Sequence, residues 1–275
     1  MNFLRRLVGL GGQALVWLYA AAIVLPIYYV VISAFKENQA IITQPLALPG
    51  ALKLENFARA WQIADMLSGI VNSVIVTVGA EIVTLLLAIP AAYAIARLKG
   101  RGPVWLERFF GLGFLIPAIA LLVPTFLFSL QLNLYQTRAF LVLFYPAEAL
   151  PLSIILLAQF MRTIPGEIEE AARIDGATRF AILVRIFIPL TMPGIITVVL
   201  LNFLGFWNEY LFALIITDQA TRTVQVALPT LQNAQVIDYG LMAAGTVIAL
   251  IPVYLVYLFT QRRMYDALVA GAVKG

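Results

Sequence analysis

Residues 167–189 read EIEEAARIDGATRFAILVRIFIP, a charged island between two long apolar segments. Pro165 suits a helix start, because the amide hydrogen it lacks would have no intrahelical partner there. Glu167, Glu169 and Glu170 follow in the first turn, where carboxylates meet the positive end of the helix dipole. Glu169 and Arg173 are spaced i,i+4 in the favourable order, as are Asp175 and Arg179. Ala171 and Ala172 add helix propensity without bulk, so another surface can come close. Gly176 can take the left-handed conformation that ends a short helix. Beyond it, Phe180, Leu183, Val184 and Phe187 fall at i, i+3, i+4 and i+7. That spacing predicts a second, amphipathic helix with Arg179 and Arg185 off its apolar stripe. A short exposed helix, a glycine bend and an amphipathic helix running into an apolar span have the shape of a lever. Something outside the membrane could grip it.

Composition fixes the class. Hydrophobic residues make up 62% of the 275 positions and charged residues 12%, with a mean hydropathy of +0.95. Such usage belongs to a polytopic membrane protein and not to an ordinary soluble domain; with long apolar spans the expected fold is all-α. The chain has neither Cys nor His, which removes disulfides, thiolate nucleophiles, Cys/His metal sites and every imidazole-dependent triad. No lysine follows a glycine, so the phosphate-cradling Gly-Lys-Ser/Thr ending of a P-loop is missing and the chain cannot hold ATP in that way.

Hydropathy divides residues 13–261 into six expected spans, at about 13–35, 68–96, 109–130, 139–161, 189–216 and 240–261. Residues 1–12 precede them as an N-terminal segment, 165–188 form the lever, and 262–275 are left as a short tail. Residues 13–35 are too long for a signal-peptide core and read as a retained span. Pro117 and Pro124 predict kinks in the third span. Thirteen of the 18 Lys and Arg residues fall in the N-terminal segment, the second–third loop, the lever and the tail. Five fall in the alternate loops. The positive-inside rule therefore places both termini and the lever in the cytoplasm.

Three carboxylates lie within expected spans: Glu81, Glu148 and Glu209. Ionisable groups at that depth are costly, which makes them functional candidates. Glu148 sits between Pro146 and Pro151, where a broken helix would free backbone groups beside a cavity and favour a path or gate role. Glu209 lies in Trp207-Asn208-Glu209-Tyr210, whose aromatic, amide and carboxylate groups suit the CH faces and hydroxyls of a sugar. It could equally make a helix–helix hydrogen bond to a partner subunit. Glu81 reads as a packing or interface residue, and Asn72 and Gln159 stand isolated.

Glu170-Ala171-Ala172, three residues, Gly176, nine residues and Ile186-Phe187-Ile188-Pro189 resemble the EAA motif of ABC-importer permeases. Ile188 stands where the motif has Leu. Residues 31–36 (VISAFK) and 91–97 (AAYAIAR) resemble segments of the same family. The Trp-Asn-Glu segment and the ending Gly271-Ala272-Val273-Lys274-Gly275 resemble its carbohydrate-uptake group, in particular the maltose permease G-subunit type. The resemblance implies a type I ABC importer permease fold in a bacterial or archaeal cytoplasmic membrane. It implies a non-catalytic transport subunit that binds no cofactor itself. ATP and Mg would sit in two partner ABC ATPase subunits. A second permease subunit, making a heterodimer, and an extracytoplasmic substrate-binding protein complete the expected partners, with the lipid bilayer around them and no nucleic acid. Glu170, Ala171, Ala172, Asp175 and Gly176 would form the coupling helix seated on one ATPase, and Val273, Lys274 and Gly275 would reach into the ATPase dimer. Glu148, Asn208 and Glu209 would border the translocation path, although the maltose-type arrangement places most sugar contacts on the other permease. The competing expectation is a proton-coupled secondary transporter that uses Glu81, Glu148 and Glu209 as a relay. It accounts for the carboxylates but not for the lever.

Overall fold

A computed structural model describes residues 2–232 and 237–272, with side chains described at 13, 15–232 and 237–261. Among the described residues every regular element is helical. The order is α1 (Asn2–Ala34), α2 (Asn38–Thr43), α3 (Glu55–Ile63), α4 (Met66–Arg97) and α5 (Arg101–Leu112), then 3₁₀ turns at Gly113–Leu115 and Ala118–Leu121. It continues with α6 (Leu122–Gln131), α7 (Arg138–Arg162), α8 (Gly166–Ile174), α9 (Arg179–Ile182), a π-helical turn (Leu183–Phe187), α10 (Ile188–Leu190) and α11 (Met192–Asn208). The chain closes with α12 (Leu211–Ile216), α13 (Val224–Ala227), a 3₁₀ turn (Leu228–Leu231) and α14 (Tyr239–Ala272).

Among the described residues four helices are long and apolar enough to cross a membrane: Leu15–Ala34, Met66–Arg97, Arg138–Arg162 and Tyr239–Gln261. Two bent pairs raise the number to as many as six. The first, Arg101–Leu115 with Ala118–Gln131, turns through 89°, so residues 109–130 are not one kinked helix. Pro117 disfavours helical backbone at the residue before it, and Ile116 is extended with ψ 112°. The second, Arg179–Leu190 with Met192–Asn208, turns through 75°. Pro193 cannot donate back to the carbonyl four residues earlier, and the chain bends at Thr191. The expected straight run from the lever into residues 189–216 is therefore broken there and again at Glu209–Tyr210. The reverse holds for α7, which passes through both Pro146 and Pro151 without interruption; the expected break beside Glu148 does not exist. Residues 262–272, read as a tail, continue α14.

The chain packs as two units, 1–67 with 227–251 and 68–226 with 252–275. In the first unit, Asn56 donates from Nδ2 to the carbonyls of Ala34 and Lys36 at the end of α1, at 3.1 and 2.9 Å. The buried Lys36 ammonium donates to Gln44 and Pro45 carbonyls at 2.9 and 3.2 Å. A Cβ at Gly240 would lie 2.7 Å from both Asn56 Nδ2 and the Lys36 carbonyl, so only glycine permits that approach. Arg59 pairs with Asp238 at 3.0 Å.

In the second unit α7 packs against α11 and α5, and Gly79 lets α4 approach Val142 of α7 closely. One core gathers Ala88, Ala92 and Tyr93 of α4, Ile154, Leu157 and Met161 of α7, Ile182, Leu183 and Phe187 beyond the glycine bend, and Val198 of α11. A second core joins Val76 and Ala80 to Phe140, Tyr145, Phe206 and Phe212.

Candidate functional site

The lever is a helix–bend–helix with its ends specified by sequence. Pro165 is the N-cap of α8. At the other end Gly176 has φ +79°. Its N–H bonds to the Arg173 carbonyl at 3.1 Å, and the Ala177 N–H bonds to the Ala172 carbonyl at 2.9 Å. These two reversed bonds make a Schellman cap. Thr178 starts the next helix by accepting from the Ala181 N–H at 3.2 Å. Ala172 and Ala177 rest on the core, while Glu170, Ala171, Asp175 and Gly176 are exposed. Ile174 is 86% exposed and Phe180 75%. The expected stripe splits: Leu183 and Phe187 are buried, whereas Phe180 and Val184 face outward. The π turn at Leu183–Phe187 adds residues to one turn and shifts the α-helical register. Arg173 pairs with Glu169 as expected, at 2.5 Å. Asp175 and Arg179 make no ion pair among the described residues, because the Gly176 bend separates the helices that carry them.

What roots this segment was not visible in the motif. Glu169, one residue before the Glu-Ala-Ala triplet, is only 6% exposed. Its Oε1 accepts from the Tyr93 hydroxyl at 3.1 Å as well as from Arg173. Arg97, four residues after Tyr93 on α4, stands with Nε 3.9 Å from Glu169 Oε2. Its Nη2 donates to the Met161 carbonyl at 2.6 Å and to the Ile164 carbonyl. The Arg97 guanidinium also lies 4.8 Å from the centre of the Phe187 ring. The signal was present in the sequence: Tyr93 and Arg97 at i,i+4 on the closing turn of an apolar helix put two polar groups on one face.

The intramembrane carboxylates fall into two groups. Glu81 on α4 meets Asn202 of α11, whose Nδ2 donates to Glu81 Oε1 at 3.5 Å and to Ser153 Oγ of α7 at 3.1 Å. Glu209 sits at the break between α11 and α12. Its two oxygens accept from the N–H groups of Phe212 and Ala213 at 2.8 and 2.9 Å, and Oε2 also takes the Tyr145 hydroxyl at 2.7 Å. The carboxylate thus caps the broken helix from within the same chain. Glu148 is exposed on α7, three residues after Tyr145, whose hydroxyl binds Glu209. Asn208, also exposed, bonds to the Leu204 carbonyl at 2.9 Å and to Gln225 at 3.2 Å. Trp207 is buried with its ring 5.7 Å from Phe203, so it is packed in the core and offers no face to a sugar. Asn72 is no isolated group. It donates to the Ala220 and Arg222 carbonyls at 3.0 and 2.9 Å and accepts from Arg138 at 3.0 Å. Val273, Lys274 and Gly275 lie outside the described residues.

Among solved structures, a chain from a bacterial ABC transporter involved in the import of the acidic polysaccharide alginate superposes with a TM-score of 0.82 at 23% identity. The match covers 94% of this chain and 96% of that one, and shows the fold of a type I ABC importer permease. Sequence relatives are similar over nearly the full length. The diacetylchitobiose uptake system permease protein NgcG of Streptomyces coelicolor is 35% identical, with 96% of this chain and 88% of that protein covered. The trehalose transport system permease protein SugB of Mycobacterium tuberculosis is 32% identical, with 91% and 92% covered. The inner membrane ABC transporter permease protein YcjP of Escherichia coli is 32% identical, with 94% of each covered. A family profile matches residues 84–269, and with it the chain belongs to the binding-protein-dependent transport system inner membrane components, as a multi-pass membrane protein.

Proposed function

We propose that this chain is the permease subunit of an ABC importer for a sugar or oligosaccharide, driven by ATP hydrolysis in partner subunits that grip residues 165–188. The observation that carries the reading is the two-sided helix α8. Its buried side is fixed through Glu169, while Glu170, Ala171, Ile174 and Asp175 are turned outward, and Phe180 beyond the bend is exposed as well. Apolar side chains this open, rimmed by charge, suit a protein partner. On this reading ATP and Mg are bound by two ATPases and not by this chain. Closure of the ATPases displaces α8 as a rigid body, and the spans alternate between inward- and outward-open states. Both termini are cytoplasmic, a second permease completes the channel, and an extracytoplasmic binding protein delivers solute. The diacetylchitobiose and trehalose permeases among the relatives support a carbohydrate. Glu148, Asn208 and Glu209 would border the path, with Glu148 the one acid of the pair not engaged in capping a helix.

The chain has no native cysteine, so Ala171→Cys gives a single-site crosslinking probe. It is expected to capture an ATPase in membranes, and proteoliposomes of the complex are expected to accumulate radiolabelled trehalose or diacetylchitobiose only with ATP inside. A complex that purifies without any ATPase would sink the reading.

A further inference from the structure

Only Thr163, Ile164 and Pro165 join α7 to α8. A linker that short is the natural hinge, and a hinge there would absorb any displacement of α8 before it reached the spans. Arg97 closes it. Its side chain, 12% exposed, holds the carbonyl of Met161 in the last turn of α7 and that of Ile164 inside the linker. The same guanidinium faces Glu169 of α8 and covers the Phe187 ring of the π turn. Four segments of the chain therefore meet at one cation fixed to the end of α4. A planar guanidinium can bridge two carbonyls, face a carboxylate and lie over a ring at once, which a lysine ammonium cannot. Removing it would leave Glu169 half-compensated and two carbonyls unpaired in a buried place, a costly loss.

We propose that Arg97 is a positioning residue that locks the α7–α8 linker, so that the coupling helix and the adjoining ends of α4 and α7 move as one body. This rests on the reading of α8 as the ATPase-docking helix. The lock carries motion; it does not touch nucleotide or solute. Tyr93 supports it from one turn earlier by holding the Glu169 carboxylate in place.

The test uses the assembled importer with spin labels on Ala171→Cys and on Leu86→Cys, an outward-facing position of α4 that is 68% exposed. With Arg97 present, the distance between the labels is expected to be single, narrow and the same with and without ATP plus vanadate. In Arg97→Met the narrow distance should be lost, and its mean should shift with nucleotide while ATP hydrolysis continues. A nucleotide-dependent distance in the parent, or an unchanged narrow distance in Arg97→Met, would overturn the proposal. Should Arg97→Met fail to assemble, Arg97→Lys decides: broadening supports the lock, and a parent-like distance overturns it. The crosslink from Ala171→Cys to the ATPase is scored separately. Its absence in the parent removes the docking reading, whatever the distances show.

Discussion

The two ends of α4 solve one problem in different ways. Asn72 and Arg97 lie 25 residues apart, about 37 Å along a helix, and each clasps two backbone carbonyls of a connecting segment. At the Asn72 end the clasp is a neutral amide on the carbonyls of Ala220 and Arg222, with Arg138 behind it. At the Arg97 end it is a half-buried cation on the carbonyls of Met161 and Ile164, with Glu169 opposite. A neutral amide is enough to hold a loop in place. A charge set among four segments is dearer to install, and on the proposal above it makes all four move together. The contrast then sets a holding end against a proposed transmitting end.

Substitutions can break that contrast. The largest effect is expected at Gly176→Pro. Its native φ of +79° is closed to proline, and the N–H bond to the Arg173 carbonyl would vanish. ATP-driven uptake should fall to background while the ATPase still co-purifies; uptake at the parental rate would count against a transmitting end. Asn72→Leu, at the holding end, should lower stability by about 2 kcal/mol by removing three side-chain hydrogen bonds. Thermal unfolding in detergent reads the loss, and solute moved per ATP should stay as in the parent. Glu209→Leu removes the acceptor for two amide hydrogens and the Tyr145 hydroxyl, for about 2 kcal/mol. Glu209→Gln, which keeps one carbonyl oxygen, should lose less than half of that.

The smallest effect concerns Asp218. Hydrogen bonds from Thr221, and from the backbone at Thr221 and Ala220, hold its carboxyl below the ordinary aspartate range. A carboxylate whose native value is depressed stabilises the fold above its unfolded value, and that contribution fades as pH falls through the native one. Parent and Asp218→Asn should therefore melt at different temperatures at pH 7 and converge below about pH 4. A difference that persists in acid would mean that the loop is held by something other than this charge.

Much of the segment at residues 165–190 could be read in advance because its rules are local. Pro165 at the start, Gly176 at positive φ and the Glu169–Arg173 pair depend on residues a few positions apart. The family resemblance and the all-helical class rested on the same kind of evidence: short motifs and hydropathy. What escaped was long-range or depended on competition between neighbours. Arg97 meets Glu169 across 72 positions; the helical period puts Tyr93 and Arg97 on one face but does not name the partner they share. Three prolines misled in both directions. Pro117 broke a helix outright instead of kinking it, whereas α7 runs on through Pro146 and Pro151, both buried, with Pro151 packed against Gly113. The π turn redirected Phe180 and Val184 because one widened turn cancels an i,i+3,i+4 forecast. Glu209 caps a helix break that nothing in the local pattern Trp207-Asn208-Glu209-Tyr210 announces.

Ile174 and Phe180 carry a further consequence. If an ATPase docks there as proposed, a newly made copy without it would hold both side chains in water, on a bend fixed by the Schellman cap and the Glu169 contacts. Such bare spots attract chaperones and proteases. The lifetime of an orphan subunit would then be set by how soon a partner covers two side chains, which ties the amount of channel in the membrane to the supply of the engine that drives it.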